Sequence, residues 1–304
     1  MKFYISDAFT DSLFGGNPAG VVILEAGEDF PPEETMRKTA AELRYSETAF
    51  IRQVSEKEFN IRYFTPADEV DLCGHATIAS FSCLLYAGIV RDGESYVNHT
   101  LAGRLDISVN NGSVIMDMAA PEYMGAICDA SDLAELYDIM GLPYTPVEGC
   151  DIYGEEIQLL PMMISTGLPD IIMPVQTRAD LAAISPDFER LAQFSERYGV
   201  VGVHAFTTDT SQEGITAHCR NFAPLYDIDE EAATGTSSGA LTYYLHYNDI
   251  IKPDGSHIFI QGEAMGRASK IISYITPCEN ASGGNVAIRV GGRAAILANG
   301  TILL

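Results

Sequence analysis

An order of elements that occurs twice along the chain constrains its fold more than any single motif does. In the first half, "GGNPAGVVIL" reads as a turn feeding a strand. "PEETMRKTAAEL" follows, with apolar residues at Met36, Ala40 and Leu43 and acids in its first turn, the pattern of an amphipathic helix. "ETAFIR" and "FNIRYFTP" read as strands, and "GHATIASFSCLLYAG" as a helix of small and apolar residues closed by Gly88. The second half repeats this order. "GLPDIIMPV" starts at Gly167, and "SPDFERLAQFSERYG" is a helix with Ser185 as N-cap, Pro186 at its first position and Gly199 at its end. "VHAFTT" and "ITAHCRNFAP" are strands, and "TGTSSGALTYYLHYN" is the second small-residue helix. Local matches run in step: "RYFTP" with "RNFAP", "TAF" with "HAF", Gly74 with Gly235, Leu84 with Leu245 and Tyr86 with Tyr247. Chance gives one such match; this many in one order imply duplication.

Each half is thus mostly strands around one apolar helix, which predicts an α+β protein of two pseudo-symmetric lobes with its site in the cleft between them. "ISVNNGSVIM" is an Asn-Gly hairpin of the first half. The end of the chain, "NVAIRVGGRAAILANGTILL", reads as three strands separated by Gly-Gly and Asn-Gly turns. It has no counterpart near residue 120 and is expected to complete a sheet in the first half. "MAAPEYMGAICDA", with Pro121, is the expected crossover. The lobes are therefore placed at 1–118 plus about 282–304, and at about 122–281.

Composition excludes several classes of function. The 304 residues carry 18 Lys and Arg against 42 Asp and Glu, a net charge of −24. Phosphate backbones and anionic membrane surfaces need clustered cations, so neither nucleic acid nor membrane is an expected partner. No apolar run is long enough to span a bilayer, and "MKFYISDAFTDS" lacks the apolar stretch of a secretory signal, which points to the cytoplasm. The six cysteines have no CxxC pair and no zinc-finger spacing. No metal ligand set emerges, and no Walker loop, HExxH or GxSxG is present.

Chemistry is expected where a Gly-led turn opens each small-residue helix, at Gly74-His75-Ala76-Thr77 and Gly235-Thr236-Ser237-Ser238. The first turn of a helix carries unpaired N–H groups and the positive end of the dipole, and so holds carboxylates without a lysine. Glu47, ahead of the apolar "TAFI", is a candidate general acid/base; partial burial is expected to raise its pKa toward neutrality. In the repeat its place is taken by His204. His75 is read as a proton relay or a hydrogen-bond donor to substrate, and Glu231, four residues before Gly235, as a group that reaches a polar substrate atom.

These residues carry a resemblance. "DAFTDSLFGGNPAGVVIL", "SETAF", "FTPADEVDLCGHAT" and "RNFAP…EEAATGTSSGAL" are similar to the PhzF-like family, named for an isomerase of phenazine biosynthesis, within the diaminopimelate-epimerase fold. The resemblance implies two lobes, each a barrel-like, mostly antiparallel sheet around a central helix, a homodimer, and no cofactor. It implies a cofactor-independent isomerase acting on a small carboxylic acid, with Glu47 as acid/base and His75 beside it. Asn17, Ser46, Gly74, Glu231, Gly235 and Thr236 are then the substrate-binding set. Two departures affect substrate identity. Where the family usually reads Glu-Asp-Pro-Ala-Thr-Gly-Ser, this chain has Glu230-Glu231-Ala232-Ala233-Thr234-Gly235-Thr236. Two alternatives stand beside this reading. Proline racemases share the fold and use a cysteine at each helix start; here Cys73 has Thr234 as its partner, which excludes a symmetric two-thiol mechanism but leaves an epimerase or dehydratase using Cys73. The other alternative is a non-catalytic small-acid-binding protein.

Overall fold

The computed structural model describes residues 1–278 and 286–304, and the chain divides into two compact units, Met1–Asp117 with Gly291–Leu304 and Met118–Val290. The lobe boundary expected at about 281–282 lies outside the described residues.

The first unit begins with β1 (Lys2–Ala8), β2 (Asn17–Ile23), α1 (Glu33–Leu43), β3 (Thr48–Gln53), β4 (Glu58–Phe64) and β5 (Glu69–Val70). It continues with α2 (Gly74–Tyr86), β6 (Glu94–Thr100), β7 (Gly103–Asn110) and β8 (Ser113–Asp117). Most neighbours pair antiparallel, but β2–β3 and β4–β6 are parallel, because α1 and α2 carry the chain back across the sheet in each case. α1 is amphipathic and covers one face, where Met36 and Ala40 pack on Val22, Leu24, Phe50 and Phe64. α2 is buried from His75 to Leu84, as a helix without a polar stripe must be. The β7–β8 hairpin turns at Asn111 and Gly112, both with positive φ (52° and 74°), as the Asn-Gly pair predicts.

The second unit holds β9 (Glu122–Ala126), α3 (Ala130–Ile139), β10 (Val147–Cys150), β11 (Glu156–Leu159), β12 (Met162–Ser165), β13 (Pro169–Pro174), α4 (Arg178–Ala183) and α5 (Phe188–Tyr198). β14 (Gly202–Thr207), β15 (Ala217–Ala223), β16 (Ile228–Glu231), α6 (Gly235–Tyr247), β17 (Gly255–Gln261), β18 (Ser269–Pro277) and β19 (Val286–Gly292) follow, the last two residues of β19 belonging to the first unit. The last strand, β20 (Ala294–Thr301), pairs antiparallel with β1 of the first unit. The expected Asn-Gly turn at 299–300 is absent: Asn299 and Gly300 stay in β20, opposite Tyr4 and Phe3. The Gly-Gly pair likewise stays in β19, where a Cβ on Gly291 would meet the Val114 carbonyl oxygen at 2.3 Å. Glycine is needed there for close approach of backbones rather than for a turn. Nor is Ser185 the cap of α5; Asp187 is, accepting from the Arg190 N–H, and the short α4 with a Thr177–Asp180 capping box precedes it.

The duplication extends to strand pairing. β13–β14 and β15–β17 are parallel like β2–β3 and β4–β6, and β9–β12 matches β20–β1. Register revises one equivalence. Thr48 faces Gly20 and Phe64; Val203 faces Ile171 and Phe222. Thr48 therefore matches Val203, Ala49 matches His204, and the counterpart of Glu47 is Gly202, not His204. The "TAF"/"HAF" match is one residue out of step, which in a strand moves every side chain to the other face. The packing agrees: Phe50 lies with the α1 layer, whereas Phe206 packs on Tyr244 of α6.

Candidate functional site

The two Gly-led helix starts singled out in the sequence are each built within their own unit. In the first unit, α1 ends at Arg44 in the left-handed region (φ 60°), which turns the chain so that Ser46 and Glu47 arrive just ahead of β3. α2 starts from Cys73 in extended conformation, with no side-chain cap. Its first carbonyl is secured instead from below: the Thr77 hydroxyl donates to the Cys73 carbonyl (2.7 Å) and contacts the Tyr63 hydroxyl (2.6 Å), to which Asn98 donates (2.9 Å). This buried network fixes where His75, the second residue of α2, stands.

His75 Nε2 lies 3.2 Å from Glu47 Oε2 and 3.3 Å from the Ser46 hydroxyl, while Nδ1 is 3.5 Å from Cys73 Sγ. Glu47 is 8% exposed, and its Oε2 has no aligned hydrogen-bond donor although the imidazole is at ion-pair distance. Burial pushes the Glu47 carboxyl up, but the His75 charge and hydrogen bonding from His75, Ser46 and Cys73 outweigh it, and the net direction is down. That corrects the expectation of a raised pKa: the apolar strand supplies the desolvation, and His75 together with the hydrogen bonds of Ser46 and Cys73 overrides it. Burial and the nearby Glu47 charge push the Cys73 thiol up to about 11, so it stays protonated at neutral pH. Glu47, Cys73 and His75 each place one ligand-type atom within 4.8 Å of the others. A metal there would need the thiolate, which this environment disfavours, so the three fit proton handling better than cation binding.

Gly74 is the first residue of α2, and Asn17 is buried at the first position of β2 opposite Ala8. Of the sequence-derived set in this unit, Ser46, Glu47 and His75 share one cluster, with Cys73 added to it.

In the second unit Thr234 stands where Cys73 does, ahead of α6, and Ser238 donates to its carbonyl (2.8 Å) just as Thr77 does to that of Cys73. The Thr234 hydroxyl donates to Glu231 Oε2 (2.7 Å) and accepts from Gln261 Nε2 (3.1 Å). Gln261 also donates to the Glu231 carbonyl (2.7 Å) and accepts the Thr234 N–H (3.2 Å). Glu231 is thereby tied to Thr234, the residue that leads into α6, and the Thr166 hydroxyl pins the carbonyl of Thr236, the second residue of that helix (2.9 Å). Gln261, fully buried in β17, escaped sequence reading because a lone Gln at the end of a strand carries no signal. Asp170, by contrast, was visible as a carboxylate in the otherwise apolar "GLPDIIMPV".

A family model described as phenazine biosynthesis-like protein, PhzC-PhzF, matches residues 6–300. The chain is 34% identical over 299 residues to an uncharacterized isomerase of Deinococcus radiodurans, covering 95% of this chain and 90% of the relative. It is 31% identical over 296 residues to the uncharacterized isomerase YfhB of Bacillus subtilis, covering 95% and 94%. Among solved structures, the Bacillus anthracis phenazine biosynthesis protein of the PhzF family superposes with a TM-score of 0.84 at 25% identity, over 100% of this chain and 99% of that one. A probable proline racemase from Agrobacterium radiobacter, with bound carbonate, shares the fold at 12% identity and a TM-score of 0.61, over 100% and 93%.

Proposed function

Since the chain belongs to the phenazine biosynthesis-like (PhzC-PhzF) family, we propose that it is an isomerase of small carboxylic acids in which Glu47 is the general acid/base and no cofactor takes part. The observation that carries this reading is the Glu47 carboxylate: buried, beside His75 with its pKa lowered, and with one oxygen not committed to an aligned hydrogen bond. Such an oxygen is free to take a proton from carbon. Glu47 removes a proton next to the substrate carboxylate or a conjugated alkene, and the electron pair moves into the conjugated system as a dienolate. Glu47 then returns the proton to another carbon, so atoms and charge balance without an external acid. N–H groups at the start of α2 (Gly74 and His75) favour the developing negative charge, and Ser46 holds the imidazole against Glu47. Asn17, Glu231, Gly235 and Thr236 are the further substrate contacts of this reading.

One base acting on one face moves a proton along the substrate; inverting a centre needs a second group on the opposite face. Cys73, whose thiol is pushed up to about 11 and leans on the same imidazole, is a poor second base. A double-bond shift is therefore favoured over epimerisation.

The test is deuterium uptake from D₂O into a panel of unsaturated, α-amino and α-hydroxy acids, followed by mass and NMR with no added metal or cofactor. Wild type is expected to label one acid, and Glu47→Gln, which keeps the shape, to exchange slower by about 10² or more. Equal exchange by a folded Glu47→Gln protein sinks the mechanism, and no exchange with any acid favours a binding protein.

A further inference from the structure

The hydrogen bonds beneath the start of α2 run in one direction. Thr77 has a single hydroxyl proton, and it is committed to the Cys73 carbonyl (2.7 Å). At the Tyr63 contact (2.6 Å) the tyrosine is therefore the donor, and its oxygen accepts from Asn98 Nδ2 (2.9 Å). The relay runs from Asn98 of β6 to Tyr63 of β4 to Thr77 of α2 to the Cys73 carbonyl, and its three side chains are fully buried. At its far end Asn98 Oδ1 is a buried acceptor without a partner among the described residues. Leaving such an acceptor unmet is costly.

The duplication shows that the architecture forms without this relay. By strand register Tyr63 matches Asn221, and Asn98 matches Phe259: Phe59 faces Asn98 across β4–β6, as Ala217 faces Phe259 across β15–β17. Asn221 donates to Ser237 and His204 instead, and Phe259 is a fully buried core residue. The last link is shared, since Ser238 pins the Thr234 carbonyl as Thr77 pins that of Cys73. The extension through Tyr63 to Asn98 belongs to the unit that holds Glu47.

What the relay secures is a peptide plane. The Cys73 carbonyl takes both the Thr77 hydroxyl and the Thr77 N–H (3.0 Å), which fixes the planar Cys73–Gly74 peptide, and His75 follows one residue on. A small rotation there swings the imidazole, whose Nε2 stands 3.2 Å from Glu47 Oε2 and 3.3 Å from the Ser46 hydroxyl. We infer that Asn98 and Tyr63 are positioning residues for the Glu47–His75 pair: acting through Thr77, they hold the first turn of α2 so that the imidazole keeps its ion-pair distance from the carboxylate. The catalytic consequence rests on the reading of Glu47 as the acid/base; the positioning itself does not.

That consequence is a pH dependence. The groups facing Glu47 are His75 and Cys73 from the start of α2 and the Ser46 hydroxyl, while Tyr63 acts on Cys73 and His75 from β4. Burial pushes the Glu47 carboxyl up, and His75 holds it down. A slack first turn loses part of the His75 effect and keeps the burial, so the Glu47 midpoint rises. Proton abstraction needs the ionised carboxylate, so exchange is lost at low pH and recovered at high pH.

The test titrates the Glu47 carboxyl ¹³C shift in the full chain. Thr77→Val keeps the shape and loses the hydroxyl, and Thr77→Ser keeps the hydroxyl. Tyr63→Phe and Asn98→Leu break the relay farther back. The midpoint is expected to rise by about one unit in Thr77→Val, by less but measurably in Tyr63→Phe and Asn98→Leu, and to stay near wild type in Thr77→Ser. The acid limb of deuterium exchange, measured on whichever acid of the panel wild type labels, is expected to move with it. Ser238→Ala, which removes the matching pin from α6, is expected to leave the Glu47 midpoint in place. A packing role alone lowers melting temperatures without moving that midpoint. A folded Tyr63→Phe or Asn98→Leu protein with the wild-type midpoint overturns the proposal, as does a Thr77→Ser shift as large as that of Thr77→Val. Should Thr77→Val fail to fold, Tyr63→Phe, which removes one oxygen, decides alone. If the midpoints move as expected but Glu47→Gln exchanges like wild type, the positioning stands and the acid/base reading falls.

Discussion

A carboxylate in an apolar strand and the same carboxylate beside an imidazole are different groups. Glu47 alone behind "TAFI" would be pushed toward neutrality, whereas with His75 Nε2 at 3.2 Å the net direction of its pKa is down. The thiol between them goes the other way. Cys73 is buried next to that carboxylate, so its thiol is pushed up to about 11 and the proton favours sulfur. Cys73→Ala is therefore expected to retain at least about a tenth of the exchange activity, because general acid–base work worth about 10²-fold or more stays with Glu47. Alkylating reagents are expected to inhibit weakly. Loss of all activity in a folded Cys73→Ala protein would transfer the chemistry to a racemase-like thiol.

Duplicated elements do not carry duplicated chemistry. Gly202 occupies the place of Glu47, and a Cβ on it would sit 2.0 Å from the Phe222 carbonyl oxygen, inside the β14–β15 pairing. No side chain fits, so the second unit has no room for a twin of Glu47. Gly202→Ala is expected to destabilise by about 3 kcal/mol, the range of strained overpacking, because a neighbouring strand's backbone must shift rather than a flexible side chain. Urea unfolding measures it, and a cost below about 1 kcal/mol would show that the strand yields. At the helix starts the divergence is chemical rather than steric. Cys73 and Thr234 share a position and a carbonyl bond from Thr77 or Ser238, yet one faces an imidazole and the other a carboxylate with a glutamine.

The net charge of −24 acts on the molecule as a whole. Surface ion pairs such as Arg37–Glu34 and Arg190–Asp138 contribute little, because water screens them, and weaken further with salt. Repulsion among the surplus acids opposes folding and is screened by the same salt. With acids outnumbering bases by more than two to one, the second effect dominates. The melting temperature is expected to rise by a few degrees as NaCl goes from about 0.02 to about 0.5 M. A falling melting temperature, read by calorimetry, would show that the ion pairs matter more.

Local sequence carried the duplicated strand and helix order and the two Gly-led helix starts, because periodicity, turn residues and helix starts are short-range properties, and it put forward Glu47 and His75, which the fold brings to 3.2 Å. Strand register was not readable: "TAF" and "HAF" align by eye, but which face a strand residue takes depends on partners far along the chain, and Gly202 emerged as the match to Glu47 only from pairing. The glycines near the end of the chain look like turns in one dimension, and folding keeps them in β19 and β20. Charge state was beyond reach for the same reason. Whether burial raises a carboxylate or a neighbour lowers it depends on atoms a few ångströms away, supplied for Glu47 by His75, 28 positions on, and for Asp170 by Ser237, 67 positions on.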